Sequence, residues 1–262
     1  MLQTNAPRER EIEIDLRWVI YARDAESMIV ALRRFVAIPT VSCDETKRGD
    51  CWTGAKFLKT LMEGYEEFLR LRLVAVTRSH VGGTDSVSDC SMAGWRSTGF
   101  ECKLVQGREG KNPVVLGRLG AGNHKPTVVF YGHYDVFPAG RAGWRTDPFS
   151  LSGVDGYLYG RGTTDDKGPI LAMLYAVQEW QCELLGSEQQ AVPSGELPIN
   201  IVFVIEGEEE CDSEGFVEAV QENMAWFNDV AVILFSNTYW IGEKTVRASS
   251  GTHRTGNLLM NE

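Results

Sequence analysis

The fold is decided by residues 126–135, which read PTVVFYGHYD. The β-branched and aromatic residues after Pro126 are typical of a short buried β-strand. His133 and Asp135 follow at the point where this apolar run ends. In an open α/β sheet, ligands bind beyond the carboxyl ends of the strands. The stretch therefore predicts a strand that brings an imidazole to a site, with Asp135 placed to accept a hydrogen bond from the second ring nitrogen.

Two acidic motifs occupy similar positions further along the chain. Residues 160–168 read GRGTTDDKG and open a predicted helix, whereas residues 206–210 read EGEEE and directly follow an apolar run. Each motif has an ordinary explanation when it is taken alone: a turn histidine, a helix cap at Asp165 or Asp166, and a solvated acidic turn. Together, they bring one imidazole and several carboxylates to strand ends, which is the ligand set of a two-metal hydrolytic site.

The remaining patterns alternate between helix and strand. Apolar residues at helical spacing predict helices at residues 25–35, 52–69, 167–185 and 213–227. Apolar runs predict strands at residues 113–119, 126–131, 197–205 and 230–235, and the last two are expected to be buried on both faces. Residues 155–160 predict a tight turn that leads into a further short strand. This alternation predicts an α/β fold, a three-layer sandwich around a mixed, largely parallel sheet.

Composition excludes several classes of function. The chain has 262 residues, 43% of them hydrophobic, and a formal net charge of −10, which argues against nucleic acid or an anionic membrane as the partner. No apolar run is long enough to span a membrane. The six cysteines are irregularly spaced and form no CxxC pair, so we expect reduced thiols in a cytoplasmic protein rather than a disulfide framework or a thiolate zinc site.

The three motifs together resemble the di-zinc metallopeptidases of the carnosinase, carboxypeptidase-G and aminoacylase family, which is peptidase family M20. The resemblance extends from Phe35 to about Trp240, apart from an unpatterned stretch near residues 70–99. It rests on residues 131–136, 147–149, 155–162, 165–169 and 206–215. Within the family, residues 52–58 and 102–107 look most like the peptidase-like subunit of the fungal cytosolic glutathione-degrading complex.

This resemblance implies a role for each candidate site residue. His133 would ligate one zinc ion, Asp165 would bridge two ions, and Glu210 would ligate the second. Glu209 would be the catalytic general base for the metal-bridging water, and Asp135 would orient His133. The resemblance also implies a cis peptide bond directly after the bridging aspartate.

The chain departs from the family pattern at two metal ligands. Where the family has Asp or Glu near the end of a late strand, this chain has Asn237, a neutral and weaker zinc ligand. The family's distal histidine, which follows an inserted lid domain, has no counterpart, and His253 does not match it. We therefore expect a truncated catalytic domain without its lid, arranged as a polar arm at 1–24, the partial domain at 25–245 and an irregular tail at 246–262.

Two functions of different classes follow from these expectations. The first is a zinc-dependent peptidase that cleaves a dipeptide or similar amide in glutathione or small-peptide breakdown, and that forms a homo-oligomer in its full-length form. The second is a scaffold or regulatory subunit of an amidase complex, whose metal site has decayed at Asn237. A third interpretation is that this 262-residue product is inactive. A separate hypothesis is that the stretch near residues 70–99 and the tail after about Lys244 come from misread gene structure, such as retained intron sequence.

Overall fold

The computed structural model describes residues 25–64, 99–120, 122, 124–140, 142–186, 197–235 and 237. The predictions for the polar arm, for nearly all of the unpatterned stretch, for the irregular tail and for His253 fall outside these residues. Among the described residues, no helix combines the length and the apolar character needed to cross a membrane.

The described residues form four α-helices, seven β-strands and three short 3-10 turns. The helices are α1 (Ala25–Val36), α2 (Arg48–Glu63), α3 (Lys167–Gly186) and α4 (Phe216–Gln221). The strands are β1 (Glu101–Val105), β2 (Val114–Leu119), β3 (Thr127–His133), β4 (Ser152–Val154), β5 (Tyr157–Tyr159), β6 (Asn200–Glu206) and β7 (Val230–Phe235). The 3-10 turns are Glu45–Lys47, Glu209–Cys211 and Met224–Trp226.

The main sheet has five strands in the order β1-β2-β6-β3-β7, and β4 and β5 form a separate hairpin. β3 runs parallel to both β6 and β7, whereas β2 is antiparallel to β1 and to β6. The predicted mixed sheet is thus confirmed, with its parallel pairings in the half that carries the motifs. In the pairing of β3 with β6, His133 lies opposite Glu206, so the two strands end level with each other.

Two apolar layers cover the two faces of this sheet. On one face, α1, α2 and α3 bury a cluster that includes Phe35, Leu58, Ile170 and Phe203. On the other face, α4 and the turn at Trp226 cover alternate residues of the central strands. Because side chains alternate along a strand, β6 contributes side chains to both clusters and is buried along its whole length. The predicted three-layer sandwich is confirmed.

The predicted helix at residues 213–227 is wrong in its extent. Only Phe216–Gln221 is α-helical, and a 3-10 turn at Met224–Trp226 follows it. The cause lies upstream, where Asp212, Ser213 and Gly215 all have positive φ angles and cannot begin a right-handed helix. Two strands, β1 and β4, were not predicted from the sequence because both are short and largely polar or half-exposed.

The prediction that residues 230–235 form a strand is confirmed, but their predicted burial is wrong. Side chains along β7 are exposed, and Phe235 keeps 58% of its surface accessible. Within the described residues β7 pairs only with β3 and occupies the edge of the sheet. An apolar sequence indicates what a strand can tolerate, but neighbouring elements decide whether it is covered.

Candidate metal centre

The site forms where β3 and β6 end side by side. The backbone N–H of Tyr134 donates to the carbonyl oxygen of Glu206 at 2.8 Å, which extends the strand pairing by one residue. Gly207 then carries the chain past the Tyr134 ring, because a Cβ atom at Gly207 would lie 2.1 Å from the hydroxyl oxygen of Tyr134. This close approach requires glycine and directs the 3-10 turn Glu209–Cys211 back toward His133.

His133 is fully buried and points its Nε2 atom at three side chains. Nε2 lies 2.9 Å from Oδ1 of Asp165 and 3.8 Å from Oε2 of Glu209. The Nδ2 atom of Asn237 lies 3.0 Å from the same nitrogen. Turning that amide by half a rotation would present its oxygen instead, which is the atom that can bind a metal. The structure therefore brings Asn237 to the imidazole of His133, and its role as a metal ligand stays a prediction.

Asp135 lies beneath the imidazole, fully buried, and contacts three parts of the site. Its backbone oxygen is 3.1 Å from Nδ1 of His133, and its Oδ1 atom is 3.5 Å from the same nitrogen. Its carboxylate also accepts the backbone N–H groups of Glu209 at 3.2 Å and of Glu210 at 3.0 Å. One carboxylate thus holds both the imidazole and the 3-10 turn, a wider role than orienting His133 alone.

Ligand atoms of His133, Glu209 and Glu210 all lie within 4.8 Å of one another. Within the described residues, these three form the one group of His, Cys, Asp and Glu side chains that meets this distance. Asp165 is not part of the group, although it contacts Nε2, and its side chain is 56% exposed. The peptide bond between Asp165 and Asp166 is cis, as the resemblance implied.

The electrostatics of the site favour a cation. Burial works against a charged imidazole, yet hydrogen bonds with Asp135 and Asp165 outweigh it and raise the pKa of His133 to about 11. Burial and the neighbouring Asp165 raise the pKa of Glu210 above its ordinary value. Within the described part of the chain, only His133 forms an ion pair with Asp135, Asp165 or Glu209. One imidazole nitrogen among crowded carboxylate oxygens is a donor set that fits a divalent metal ion.

Glu208 supports the turn from the opposite side, a role that its sequence position did not reveal. Its carboxylate accepts the backbone N–H of Asn112 at 2.9 Å, and Nζ of Lys111 lies 3.6 Å from its other oxygen. The Asn112 side chain also donates to the carbonyl oxygen of Gly207 at 3.0 Å. The only sequence signal for this contact is that Asn112 directly precedes a strand, which is too weak to find it.

Lys167 is a second residue whose role the sequence did not reveal. It begins α3 and is fully buried, and its Nζ atom donates to the carbonyl oxygens of Phe35 at 2.8 Å and Ile38 at 2.7 Å. Burial lowers the pKa of Lys167 to about 7. These bonds fix the chain after α1 against the start of α3, directly beside Asp165.

The cysteine prediction requires a correction. Cys43 and Cys211 are joined by a disulfide bond across 168 residues of sequence, although we expected reduced thiols. Cys211 is the last residue of the 3-10 turn that carries Glu209 and Glu210. Spacing along the chain could not reveal this pair, because only the fold brings residues so distant in sequence together. Cys51 and Cys102 are free, as expected.

Known proteins are similar to this chain in sequence and in structure. Residues 129–249 match the family model described as peptidase family M20/M25/M40. The chain is 45% identical over 142 residues to a human protein named Beta-Ala-His dipeptidase. This alignment covers 53% of this chain and 26% of that protein. It is 33% identical over 219 residues to the Cys-Gly metallodipeptidase DUG1 of Candida albicans, covering 82% of this chain and 38% of the relative. Residues 129–249 of the chain belong to peptidase family M20.

A solved structure of a dipeptidase supports this assignment. The dipeptidase Dug1p from Saccharomyces cerevisiae matches with a TM-score of 0.59 and 28% identity, over 84% of this chain and 40% of that one. The present chain thus spans between about a quarter and two fifths of the length of these relatives. The family match and the metallodipeptidase relatives both support a divalent metal at the site.

Proposed function

We propose that the protein is a zinc-dependent dipeptidase that hydrolyses the amide bond of a dipeptide or a similarly small substrate. The observation that carries the proposal is the meeting of His133, Glu209 and Glu210 at the level ends of β3 and β6. The dipeptidases among its relatives support the reaction class. Because the chain spans only part of those relatives, the activity is proposed for the whole protein to which it belongs.

We assign the metal to His133, Asp165 and Glu210, with Asn237 as a weaker fourth donor. Bound zinc would lower the pKa of water and polarise the scissile carbonyl. Mixed nitrogen and oxygen donors suit zinc, while harder cations prefer oxygen alone. The fully buried imidazole is already aimed by Asp135, so little rearrangement is needed for it to bind.

Glu209 is proposed as the general base. Its side chain is 34% exposed, so it can reach both the attacking water and the leaving amine. The carboxylate would take a proton from the water and return it to the amine nitrogen as the amide bond breaks. The hydrogen bond from its backbone N–H to Asp135 fixes the base relative to His133.

The relatives suggest the substrate class. One is named for a β-Ala-His substrate and another for Cys-Gly, the dipeptide formed when glutathione loses its glutamyl group. We therefore propose a small dipeptide substrate, with Cys-Gly breakdown as the first case to examine. A homo-oligomer and an amidase partner subunit also belong to this proposal, and neither nucleic acid nor membrane is proposed as a partner.

A non-catalytic scaffold or regulatory role is the second candidate, and one observation favours it. At the end of β7 the neutral amide of Asn237 faces Nε2 of His133, where the family has a carboxylate. A weaker donor there would lower the occupancy of the metal and leave the subunit dependent on an amidase partner.

The cytoplasm is the proposed location. The irregular cysteine spacing supports it, whereas the Cys43–Cys211 disulfide weighs against it, since cytosolic thiols are usually kept reduced. Rapid alkylation of thiols in a cell lysate, followed by mass spectrometry of the peptides that contain Cys43 and Cys211, distinguishes a cytoplasmic from an oxidising location. Reduced Cys43 and Cys211 would support the cytoplasm, and a bonded pair would contradict it.

The test uses the protein in the longest form that its transcript encodes. We expect bound zinc and hydrolysis of Cys-Gly or β-Ala-His that a chelator abolishes. Glu209→Gln should lower kcat at least about 100-fold while zinc stays bound, because it removes only the proton acceptor. Glu222→Gln, an exposed glutamate on the surface, is the matched control and should change nothing.

Absence of both metal and chelator-sensitive hydrolysis would overturn the dipeptidase proposal. A protein without zinc that raises the activity of an amidase partner would favour the scaffold role instead.

A further inference from the structure

A serine far away in sequence contacts the carboxylate at the base of the site. The hydroxyl of Ser42 donates to Oδ2 of Asp135 at 2.6 Å, across 93 residues of sequence. Ser42 lies in the loop between α1 and the 3-10 turn Glu45–Lys47. Neither the motifs nor their spacing identify it, because it sits outside all three.

The loop that carries Ser42 is attached to the chain on both sides of Asp135. The hydroxyl of Thr40 donates to the carbonyl oxygen of Tyr134 at 2.7 Å, and the backbone N–H of Val136 donates to the carbonyl oxygen of Thr40 at 2.9 Å. These two bonds hold the loop alongside the residues that directly follow β3. The Ser42 hydroxyl therefore meets Asp135 in a fixed orientation.

The two oxygens of Asp135 divide their hydrogen bonds between distinct partners. Oδ2 accepts from Ser42 and from the backbone N–H of Glu210, whereas Oδ1 accepts from the backbone N–H of Glu209 and lies 3.5 Å from Nδ1 of His133. Without the Ser42 hydroxyl, Oδ2 would keep one of these two donors. A buried carboxylate that lacks a donor rotates to find another, so its hold on both other groups would loosen.

We propose that Ser42 is a positioning residue for the metal centre, acting through Asp135 on the imidazole of His133 and on the turn that carries Glu209 and Glu210. This inference rests on the proposed zinc-dependent function of the same site. Residues that orient metal ligands contribute about 10-fold to 100-fold to metal affinity. Ser42 contacts Asp135 and not a metal ligand itself, so we expect its loss to weaken zinc binding by about 10-fold, at the lower end of that range.

Zinc affinity of the protein in its longest encoded form provides the first readout. It is measured with Zn²⁺ alone by competition with a chelating dye, and the absorption spectrum of the Co²⁺-substituted site reports ligand geometry. Ser42→Ala should weaken zinc binding about 10-fold and alter the Co²⁺ spectrum, whereas Ser42→Thr, which keeps the hydroxyl, should restore both. Thr53→Ala, which removes an exposed hydroxyl from α2, should leave both unchanged.

A double-mutant cycle tests whether Ser42 acts through Asp135. In an Asp135→Asn background, Ser42→Ala should change zinc affinity by less than about twofold, because the partner whose orientation it controls is already altered. An equal loss in both backgrounds would overturn the proposal and assign Ser42 a general role in the fold. Ser42→Gly replaces Ser42→Ala if the latter does not fold.

Two failures remain distinguishable. A wild-type protein that binds no zinc would overturn both the dipeptidase function and the role of Ser42 that rests on it. A wild-type protein that binds zinc with the same affinity and Co²⁺ spectrum as Ser42→Ala would overturn the role of Ser42 alone.

Discussion

β6 and β7 are alike in sequence and opposite in environment. β6 reads NIVFVIE and β7 reads VAVILF, so both are short apolar runs that predict strands buried on both faces. Every residue of β6 is buried, whereas most of β7 is exposed. β6 lies between β2 and β3 under helices on both faces, and in the described residues β7 pairs with β3 alone. A strand's apolar content shows what it can bury, and its neighbours decide what it does bury.

The same two strands also differ in what they bring to the site. β6 leads into Glu209 and Glu210, two carboxylates held by backbone hydrogen bonds to Asp135. β7 leads to Asn237, a neutral amide beside the same imidazole. The buried central strand thus supplies the charged half of the site and the exposed strand supplies the neutral part.

A matched pair of phenylalanines tests this contrast most strongly. Phe203 of β6 is fully buried and stacks on Phe130 with ring centroids 4.8 Å apart, whereas Phe235 of β7 is 58% exposed. Phe203→Ala should lower the free energy of unfolding by about 3–5 kcal/mol, since it removes a buried ring and leaves a cavity. Phe235→Ala should cost less than about 1 kcal/mol. Urea denaturation followed by circular dichroism measures both.

If the two substitutions cost the same, the contrast between the strands is wrong. In that case β7 is covered in solution by a surface of the protein outside the described residues or by another chain.

The second prediction concerns the Cys43–Cys211 disulfide, which links the loop after α1 to the 3-10 turn that follows β6. Cys43→Ser should remove the disulfide to Cys211 and lower the free energy of unfolding by about 2–4 kcal/mol under oxidising conditions, because the open chain gains conformational freedom when unfolded. Intact-protein mass spectrometry after alkylation should also show one newly reactive thiol, at Cys211.

Cys102→Ser is the control for this experiment, since Cys102 is free and forms no bridge. Equal effects of the two substitutions, or a Cys43→Ser protein as stable as wild type under oxidising conditions, would contradict a stabilising tether.

The smallest expected effect concerns Asn237, the proposed neutral ligand that follows β7. Asn237→Asp should tighten zinc binding by about tenfold, or about 1.4 kcal/mol, because a carboxylate oxygen is a stronger zinc donor than an amide oxygen. Competition with a chelating dye measures the change. Asn228→Asp, which adds the same charge at an exposed turn before β7, is the control.

Unchanged affinity in Asn237→Asp would mean that the end of β7 does not contribute to the metal site. A change from no detectable zinc to tight binding would favour the scaffold interpretation, in which the natural site has lost its metal at this position.

Much of the fold and the candidate site could be predicted because the signals are local. The helical spacing of α1 and α3, the apolar run of β6 and the strand-end positions of His133 and Glu206 each lie within a few residues of sequence. Parallel strands end at one edge of the sheet, so these motifs were expected to converge, and the structure brings His133, Glu209 and Glu210 together. Their roles as ligands and base stay predictions.

The features that were missed depend on long-range contacts. Ser42 reaches Asp135 across 93 residues, Asn112 reaches Glu208 across 96, and Cys43 bonds to Cys211 across 168. No periodicity links such positions. The positive φ angles at Asp212 and Ser213, which shorten the predicted helix after β6, likewise follow from how the turn packs rather than from residue type.

The sequence by itself determined most of the elements, the residue types that meet at the strand ends and the resemblance to the family, since local propensity and motif chemistry depend on residues that are adjacent in sequence. Only the tertiary structure decided which strand is buried, which hydroxyl and amide groups hold the turn, and which cysteines pair. Burial and hydrogen bonding of a residue depend on its neighbours in space, and the order of the strands in the sheet determines which residues are neighbours.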